Sequence, residues 1–203
     1  AGAIRRHGKG SAWYLASDEL DRLPASASLA DLAARDLAAL APAVVAHAEL
    51  VAVLGDPVEL GEVRDVIARL VATGEAGALT LDARVGVERL VAAGFLVARG
   101  QGRFGFRHAL VRDAVVRAID TRRRARLHAA AADLRAATGP ADDEPGAQAR
   151  LAAHLTGAGR RGDAAAVFAQ LADGAQLRHA YVDAERWCSA ALGQLDPGAG
   201  PRG

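Results

Sequence analysis

Three glycines between residues 95 and 108 have a spacing that could serve nucleotide chemistry. The segment reads FLVARGQGRFGFRH, in which Gly100, Gly102 and Gly105 form a G-x-G-x-x-G pattern. In dinucleotide-binding folds this pattern follows a strand and opens a helix, so that the backbone approaches a pyrophosphate at the helix N-terminus. The glycines therefore either bind a nucleotide or shape the backbone for another reason.

The residues around the glycines favour a β-hairpin. A dinucleotide fold needs a further parallel strand with an acidic residue about 20 residues on, but that region reads DTRRRARLHAAAADL and has helical character. Phe104 and Phe106 alternate across Gly105 as on a half-buried strand, and Gly100 and Gly102 fit a two- or three-residue turn with positive φ. The sequence therefore predicts a hairpin and no dinucleotide site.

A complete P-loop is also excluded in this segment. Such a loop needs a lysine followed by Ser or Thr, because the ammonium contacts the β- and γ-phosphates and the hydroxyl holds magnesium. The only lysine, Lys9, is followed by Gly10, and Ala3 stands where the first glycine of the loop should be. We therefore predict that this chain is not an enzyme by itself.

Other residue types that carry catalysis are too few or too scattered. One cysteine and no G-x-S-x-G motif give a hydrolase little support. The six histidines never pair four residues apart, and a zinc site usually adds thiolates to such a pair; they are His7, His47, His108, His128, His154 and His179. We expect no metal site and no catalytic residue.

Composition indicates a globular chain without a strong overall field. With 203 residues, 51% of them hydrophobic, the chain can bury a core. The 25 basic and 24 acidic residues leave a net charge of +1, so any contact with nucleic acid or acidic lipid must be local.

The expected location is the cytoplasm. A single cysteine fits a reducing compartment, no apolar run approaches the roughly 20 residues of a membrane span, and the start has no signal-peptide pattern. The chain contains no methionine, even at position 1. We therefore expect it to be a piece of a longer polypeptide or a trimmed form of one.

The residue pattern in the first half of the chain predicts a strand and four helices before the hairpin. Residues 13–15 suit a short strand, and two helices are expected after Ser28 and near Pro42. Asp56 should cap a third helix, with a proline at its first position and Gly74 as its stop. A fourth helix ends at Gly94, and after the hairpin HALVRDAVVRAID resumes helical spacing. Helices followed by one hairpin outline a winged helix.

Beyond residue 120 the sequence predicts helices interrupted by one linker. TRRRARLHAAAADLRAATG forms a helix that ends at Gly139, and the acidic, proline-bearing PADDEPG marks a boundary. Three alanine-rich helical segments follow, and the end of the chain should be disordered.

This order of elements resembles a known family from about residue 10 to 195. The stretches LDRLPASASLADLAARDLAAL, VERLVAAGFLVARGQGRFGFRHALVRDAVVRAID, RRRARLHAAAADL and YVDAERWCSAAL look like the region downstream of the nucleotide-binding core in STAND-class NTPases. The likeness is greatest to the large ATP-binding LuxR-family (LAL) transcriptional regulators of bacteria. It implies a mainly α fold, with a winged-helix domain carrying a small β-hairpin wing, followed by tetratricopeptide-like (TPR-like) helical hairpins.

The resemblance also implies domain boundaries. They are an exit segment of an upstream domain at 1–25, a winged-helix domain at 26–120, a connecting helix at 121–139, a linker at 140–146, TPR-like repeats at 147–196 and a disordered tail at 197–203.

Within this resemblance, FRHALVRDAV looks like the winged-helix motif known as Met-His-Asp in plant resistance proteins, whose histidine faces the ADP phosphates in the resting state. The histidine is His108, Arg107 precedes it, and Ala109 replaces the aspartate that would orient it. A histidine at a helix start can donate an N–H to a phosphate, and the helix N-terminus adds partial positive charge. The resemblance thus implies that His108, with Arg112 one turn on, contacts nucleotide held by the upstream domain. The plainer alternative is that His108 is a surface cap.

The helical tail fits one degenerate TPR-like repeat. Large and small apolar positions interlock between two helices in such repeats, and the matching residues are Phe168, Leu171, Ala172 and Ala175 on the first helix and Ala184, Cys188 and Ala191 on the second. The pattern therefore predicts that Cys188 packs in the core and is not a nucleophile.

A DNA-binding winged helix is the alternative function. Its recognition helix should present a basic face, but the charges on TLDARVGVERLVAAG cancel; they are Asp82, Arg84, Glu88 and Arg89, to which the wing adds Arg99, Arg103 and Arg107. The run TRRRAR at 121–126 is typical of a solvated face or an interdomain ion-pair surface. We expect DNA binding to be unlikely through this segment.

The sequence and the resemblance together predict a non-catalytic regulatory and protein-interaction segment of a signal-responsive, ATP-binding transcriptional regulator. The winged helix would close over ADP or ATP bound by the upstream domain, while this chain alone would hold no cofactor. The TPR-like helices would bind a protein partner or a small-molecule inducer, and no membrane contact is expected.

Overall fold

The computed structural model describes residues 4–6, 13–15, 35–138 and 145–195. This part of the chain is mainly helical and includes a small three-stranded antiparallel sheet. The first two strands, β1 (Ile4–Arg6) and β2 (Trp13–Leu15), pair antiparallel, which confirms the predicted strand at 13–15. The other elements in chain order are α1 (Pro42–Leu54), β3 (Val58–Glu59), α2 (Leu60–Ala72), α3 (Ala83–Ala92), β4 (Leu96–Ala98), β5 (Arg103–Phe106), α4 (Ala109–Ala118), α5 (Thr121–Thr138), α6 (Pro145–Gly157), α7 (Arg161–Leu177) and α8 (Tyr181–Leu195).

Helix α1 is the centre of the first hydrophobic core. Nine of its 13 residues are buried, and α3, α4 and α5 pack around it. Pro42 occupies the first helical position, where the sequence predicted the helix to start, and Gly55, with φ of 121°, ends the helix. Because a helix that is apolar on all sides must be surrounded, α1 is enclosed by the amphipathic helices that follow it.

The three-stranded sheet contains the predicted hairpin. Its order is β3–β5–β4, and both pairings are antiparallel. Arg99 N donates to Arg103 O over 2.8 Å, and the three residues that turn the chain, Gly100, Gln101 and Gly102, all have positive φ. The two flanking glycines therefore serve a tight turn, as expected.

Helix α2 begins later than predicted, so the assignment of Asp56 as its cap is wrong. Residues 58–59 form strand β3 on the edge of β5, and the helix starts at Leu60 after the N-cap Glu59. The Asp56 carboxylate instead accepts a hydrogen bond from Phe106 N over 3.2 Å. Pairing with β5 thus overrides the local capping signal.

A second, smaller core joins α5 to the last three helices. It contains Ala132 of α5 and the side chains Ala152, Leu155, Ala164, Phe168 and Leu171 of α6 and α7. Trp187 of α8 stacks on Phe168 with ring centroids 5.8 Å apart. The three predicted tail helices are therefore present, and they share this core.

Some predictions lie outside the described residues. These are the exit segment at 1–25 apart from residues 4–6 and 13–15, and the helix after Ser28 except for its end at 35–38. The helix stop at Gly139, the linker residues up to 144 and the tail at 197–203 also lie outside. Helix α6 begins at Pro145, inside the predicted linker. In the described parts of the chain, no helix combines the length and apolar character needed to cross a bilayer.

The contact between Gly86 and His47 yields a stability prediction. His47 is fully buried, its Nδ1–H donates to Ala43 O over 2.8 Å, and its ring lies against Gly86 of α3. A Cβ at Gly86 would stand 2.6 Å from His47 Nε2 and overlap the ring. Gly86→Ala should destabilise the protein by about 1–3 kcal/mol through overpacking, measured as a lower urea midpoint by circular dichroism.

The matched control is Gly61→Ala in α2, where an added Cβ meets nothing within 4 Å. This variant should be neutral or up to about 1 kcal/mol more stable, because alanine has the higher helix propensity. Equal unfolding midpoints for the two variants would contradict the tight contact.

Candidate functional site

His108 lies at the exposed N-terminus of α4. It is the N-cap residue, with extended backbone (φ −137°, ψ 133°), and its side chain makes no capping hydrogen bond. The first turn of α4 contains no acidic residue, and the backbone hydrogen bonds to His108 O begin only at Val111 N. His108, Ala109 and Leu110 are all exposed, and an exposed helix N-terminus is suited to an anion.

Arg112 has a structural partner inside the first core. Its Nε donates to Ala52 O, in the last turn of α1, over 3.0 Å. The last carbonyls of a helix lack partners within the helix, so this guanidinium caps α1 and fixes α4 against it. Arg112 lies one turn from His108 as predicted, but part of its donor capacity is already used.

The last glycine of the G-x-G-x-x-G pattern makes room for a carboxylate. A Cβ on Gly105 would overlap Asp56 Oδ1 and stand 2.9 Å from Arg99 Nε. Asp56 accepts from Phe106 N on one edge of this position, and Arg99 donates to Phe106 O over 3.3 Å. Because Gly105 has no side chain, the Asp56 carboxylate and the Arg99 guanidinium can both reach the backbone of β5.

A polar cleft of about 540 Å³ lies between the first core and the last helices. Residues from α1, the α1–β3 connection, β3, α2, β5, α5 and α6 line it. Its charged members are Asp56, Glu59, Glu62, Asp65, Arg103, Arg135 and Arg150. Neither His108 nor Arg112 belongs to this set, so the sequence-predicted site and the cleft are separate.

Glu62 and Arg135 form an ion pair in the wall of this cleft. Arg135 of α5 donates to Glu62 of α2, and each side chain is about one-fifth exposed. Burial raises the pKa of the Glu62 carboxyl above its ordinary value, and the charges of Arg135 and Arg150 offset only part of that rise. The pair connects α2 to α5 across 73 positions of sequence.

The basic run at 121–126 is partly used inside the protein. Asp120 caps α5 by accepting from Arg122 N and Arg123 N at 3.0 and 3.1 Å. The Arg123 side chain pairs with Glu49 of α1. This second ion pair holds the start of α5 on the first core, in agreement with the predicted ion-pair surface.

Two histidines far apart in sequence meet between α5 and α6. Nδ1 of His128 and Nδ1 of His154 are 3.1 Å apart, and His154 is 4% exposed. Sequence spacing contained no signal for this contact, because 26 residues separate the two. Among the described residues, no group of three or more His, Cys, Asp or Glu side chains is arranged to hold a metal ion.

Cys188 is exposed, so the prediction of core packing is wrong. It lines an apolar groove of about 540 Å³ between α7 and α8, with a floor that contains Ala166, Ala169 and Ala172. The repeat pattern placed Cys188 on the correct face of α8. On α8 only Ala184 is fully buried, while Trp187, Ala190 and Ala191 are partly buried against the second core.

Comparison with family models, curated proteins and solved structures finds no match to this chain.

The Glu62–Arg135 pair predicts energetic coupling between α2 and α5. In a double-mutant cycle, Glu62→Gln and Arg135→Gln should each destabilise the protein, and their coupling should be about 1 kcal/mol or more. The reason is that either single change leaves a half-buried charge without its partner. Urea unfolding followed by circular dichroism measures the cycle.

The control cycle uses Arg64→Gln and Asp65→Asn on α2, whose ion pair is exposed. Solvent screening should leave that pair without measurable coupling. The same result for Glu62 and Arg135 would show that their contact does not hold α5 in place.

Proposed function

We propose that this chain is the non-catalytic regulatory and protein-interaction segment of a signal-responsive ATP-binding transcriptional regulator of the STAND class. In this proposal, residues 26–120 are a winged helix that closes over ADP or ATP bound by an upstream domain in the cytoplasm. Helix α5 connects it to TPR-like helices that receive a partner. The observation that carries the proposal is the uncapped, exposed N-terminus of α4 at His108.

The order of elements supports the winged-helix assignment. Three helices and three strands follow one another as α1–β3–α2–α3–β4–β5, and the short β3 pairs with β5 on the side opposite β4. A helix-turn-helix pair with a hairpin after it is the arrangement expected of a winged helix. The turn at 100–102 is then the tip of the wing.

The surroundings of His108 support contact with phosphate. A neutral imidazole with a free ring N–H is a donor, and the first N–H groups of α4 add the positive end of the helix dipole. The role of Arg112 in this proposal is to hold α4 on α1 through Ala52 O.

Helix α5 offers a route by which nucleotide could affect the tail. Its start is held on α1 by Arg123–Glu49 and its end on α2 by Arg135–Glu62. A movement of the winged helix relative to the upstream domain would therefore carry α5, and α6 packed on it. This is a two-state element biased by nucleotide contacts.

The groove between α7 and α8 supports binding of a partner by the tail. Besides the alanine floor it exposes Leu192 and Leu195, and each of these leucines is 66% exposed. Exposed apolar patches of this kind mark interaction sites. The repeat-like geometry of the two helices suits an apolar helix of a protein partner.

His108→Leu in the intact regulator should speed the release of ADP and raise basal activity. A hydrogen bond to a charged group contributes about 1.5–3 kcal/mol, so dissociation should accelerate by roughly tenfold or more. Stopped-flow release of a fluorescent ADP analogue measures the rate. Arg117→Leu, an exposed change at the other end of α4, should release ADP like the wild type, and unchanged release from His108→Leu would refute the role.

If the winged helix contacts other protein domains and not DNA, duplex DNA should bind to it weakly and without sequence preference. The α3 side chains Asp82 and Glu88 oppose Arg84 and Arg89, and Asp82 also caps the helix through Arg84 N. We expect a dissociation constant no tighter than the roughly 10⁻⁴–10⁻⁶ M of non-specific binding at physiological salt. Fluorescence anisotropy over a salt series measures it.

Tight binding with a salt slope that implies several phosphate contacts would favour the DNA-binding alternative. In that case Arg84→Gln with Arg89→Gln should abolish binding, and Arg178→Gln at the C-cap of α7 should not. The three wing arginines would then contribute to the same face.

A further inference from the structure

A buried histidine pair forms part of the contact between α5 and α6. The Nδ1 atoms of His128 and His154 are 3.1 Å apart, with ring centroids at 5.3 Å and planes tilted by 52°. At this distance one nitrogen must donate and the other accept, since a hydrogen bond needs one proton between the two atoms. Two protonated imidazoles would point N–H groups and positive charges at each other.

The pair has no room to rearrange. The ring of His128 occupies the space beside Gly157 of α6, where an added Cβ would stand 2.5 Å from the ring. Ala132 of α5 and Ala152 of α6 are fully buried in the second core. The histidine pair adds a polar contact between the same two helices.

Cations surround the pair from three elements. Arg124 of α5 and Arg112 of α4 act on His128, while Arg135 of α5 and Arg150 of α6 act on His154. The nearby carboxylates have their own partners, since Glu62 pairs with Arg135 and Asp133 pairs with Arg160 and Arg69. On the α7 side, Asp163 also pairs with Arg160. The local charge therefore opposes any proton added to the imidazoles.

We propose that the His128–His154 pair makes the docking of α6–α8 on α5 sensitive to protons, so that acidification separates the tail from α5 while the first core stays folded. This device is independent of the proposed nucleotide contact.

The direction follows from the two states of the histidines. Burial, with the charges of Arg124 and Arg112, lowers the pKa of His128, and burial, with the charges of His128, Arg135 and Arg150, lowers the pKa of His154 to about 3. Once the tail has separated from α5, the imidazoles of His128 on α5 and of His154 on α6 would both meet water, where a histidine has a pKa of about 6.5. Docking is therefore fully present above pH 6.5 and is lost progressively as the pH falls below it.

The magnitude is set by proton linkage. Each histidine that is neutral when docked and free to titrate when separated shifts the equilibrium about tenfold for each pH unit below 6.5. From pH 7.5 to 5.0, His154 alone should shift the docking equilibrium roughly thirtyfold toward the separated state. His128 shifts it further in the same direction.

The experiment measures the distance between the two parts of the full chain. Dyes on the exposed Cys188 of α8 and on a cysteine introduced by Glu75→Cys report energy transfer from pH 7.5 to 4.5, while far-UV circular dichroism reports helicity. We expect transfer to fall with decreasing pH below 6.5 at constant helicity. Unchanged transfer down to pH 4.5, or loss of helicity with the same midpoint, would overturn the proposal.

Two variants separate the histidine pair from other acid effects. The double variant His128→Gln with His154→Gln should keep high transfer at low pH, whereas His179→Gln, at an exposed histidine, should respond like the wild type. A response that persists in the double variant would assign the effect to other groups and overturn the proposal.

If the double variant fails to dock at pH 7.5, NMR of the wild-type imidazoles decides. The proposal requires both rings to remain neutral at pH 5.5 in molecules that retain high transfer. Protonated rings in the docked state would overturn it.

Discussion

Both hydrophobic cores share helix α5, and its position constrains the rest of the described chain. Leu127, Ala130 and Ala131 belong to the first core, while Ala132 belongs to the second. Ion pairs near its two ends, to α1 and to α2, fix the helix along its length. Because 18 helical residues form a rigid rod of about 27 Å, a displacement of α5 at one core is transmitted to the other. This shared helix makes a mechanical connection between the sheet-bearing part and the tail physically reasonable.

The glycine-rich segment has the spacing of a nucleotide-binding motif, but in this protein its glycines form a tight turn and leave space for a carboxylate. Gly100 and Gly102 adopt positive φ in a three-residue turn, and Gly105 leaves space for Asp56 beside the backbone of β5. In a dinucleotide fold the same spacing lets a pyrophosphate approach. Here the anion that approaches the strand is a carboxylate from the chain itself. Both arrangements need a residue without a side chain, but the anion is a pyrophosphate in the dinucleotide fold and the Asp56 carboxylate in this protein.

The two proposals concern neighbouring but separate chemistry. Nucleotide contact is proposed at the start of α4, through His108, and proton sensitivity at the α5–α6 contact, through His128 and His154. Arg112 lies between them, since it holds α4 on α1 and its charge also disfavours protonation of His128. A change in the position of α4 would therefore alter the field at the histidine pair. Neither proposal requires a reaction to be catalysed by this chain.

The sequence by itself determined most of the described helices, the hairpin and the glycines that follow α1, α2 and α3, because helical periodicity and positive φ are local properties of a few consecutive residues. It also placed His108 at the start of a helix. The tertiary structure alone decided that Asp56 joins β5 rather than capping α2, that Cys188 is exposed, and that His128 meets His154. Each of these outcomes depends on which distant segment of the chain packs against the residue. No pattern of neighbouring residues encodes that distant contact. Backbone periodicity fixes which face a residue occupies, but packing decides what that face meets.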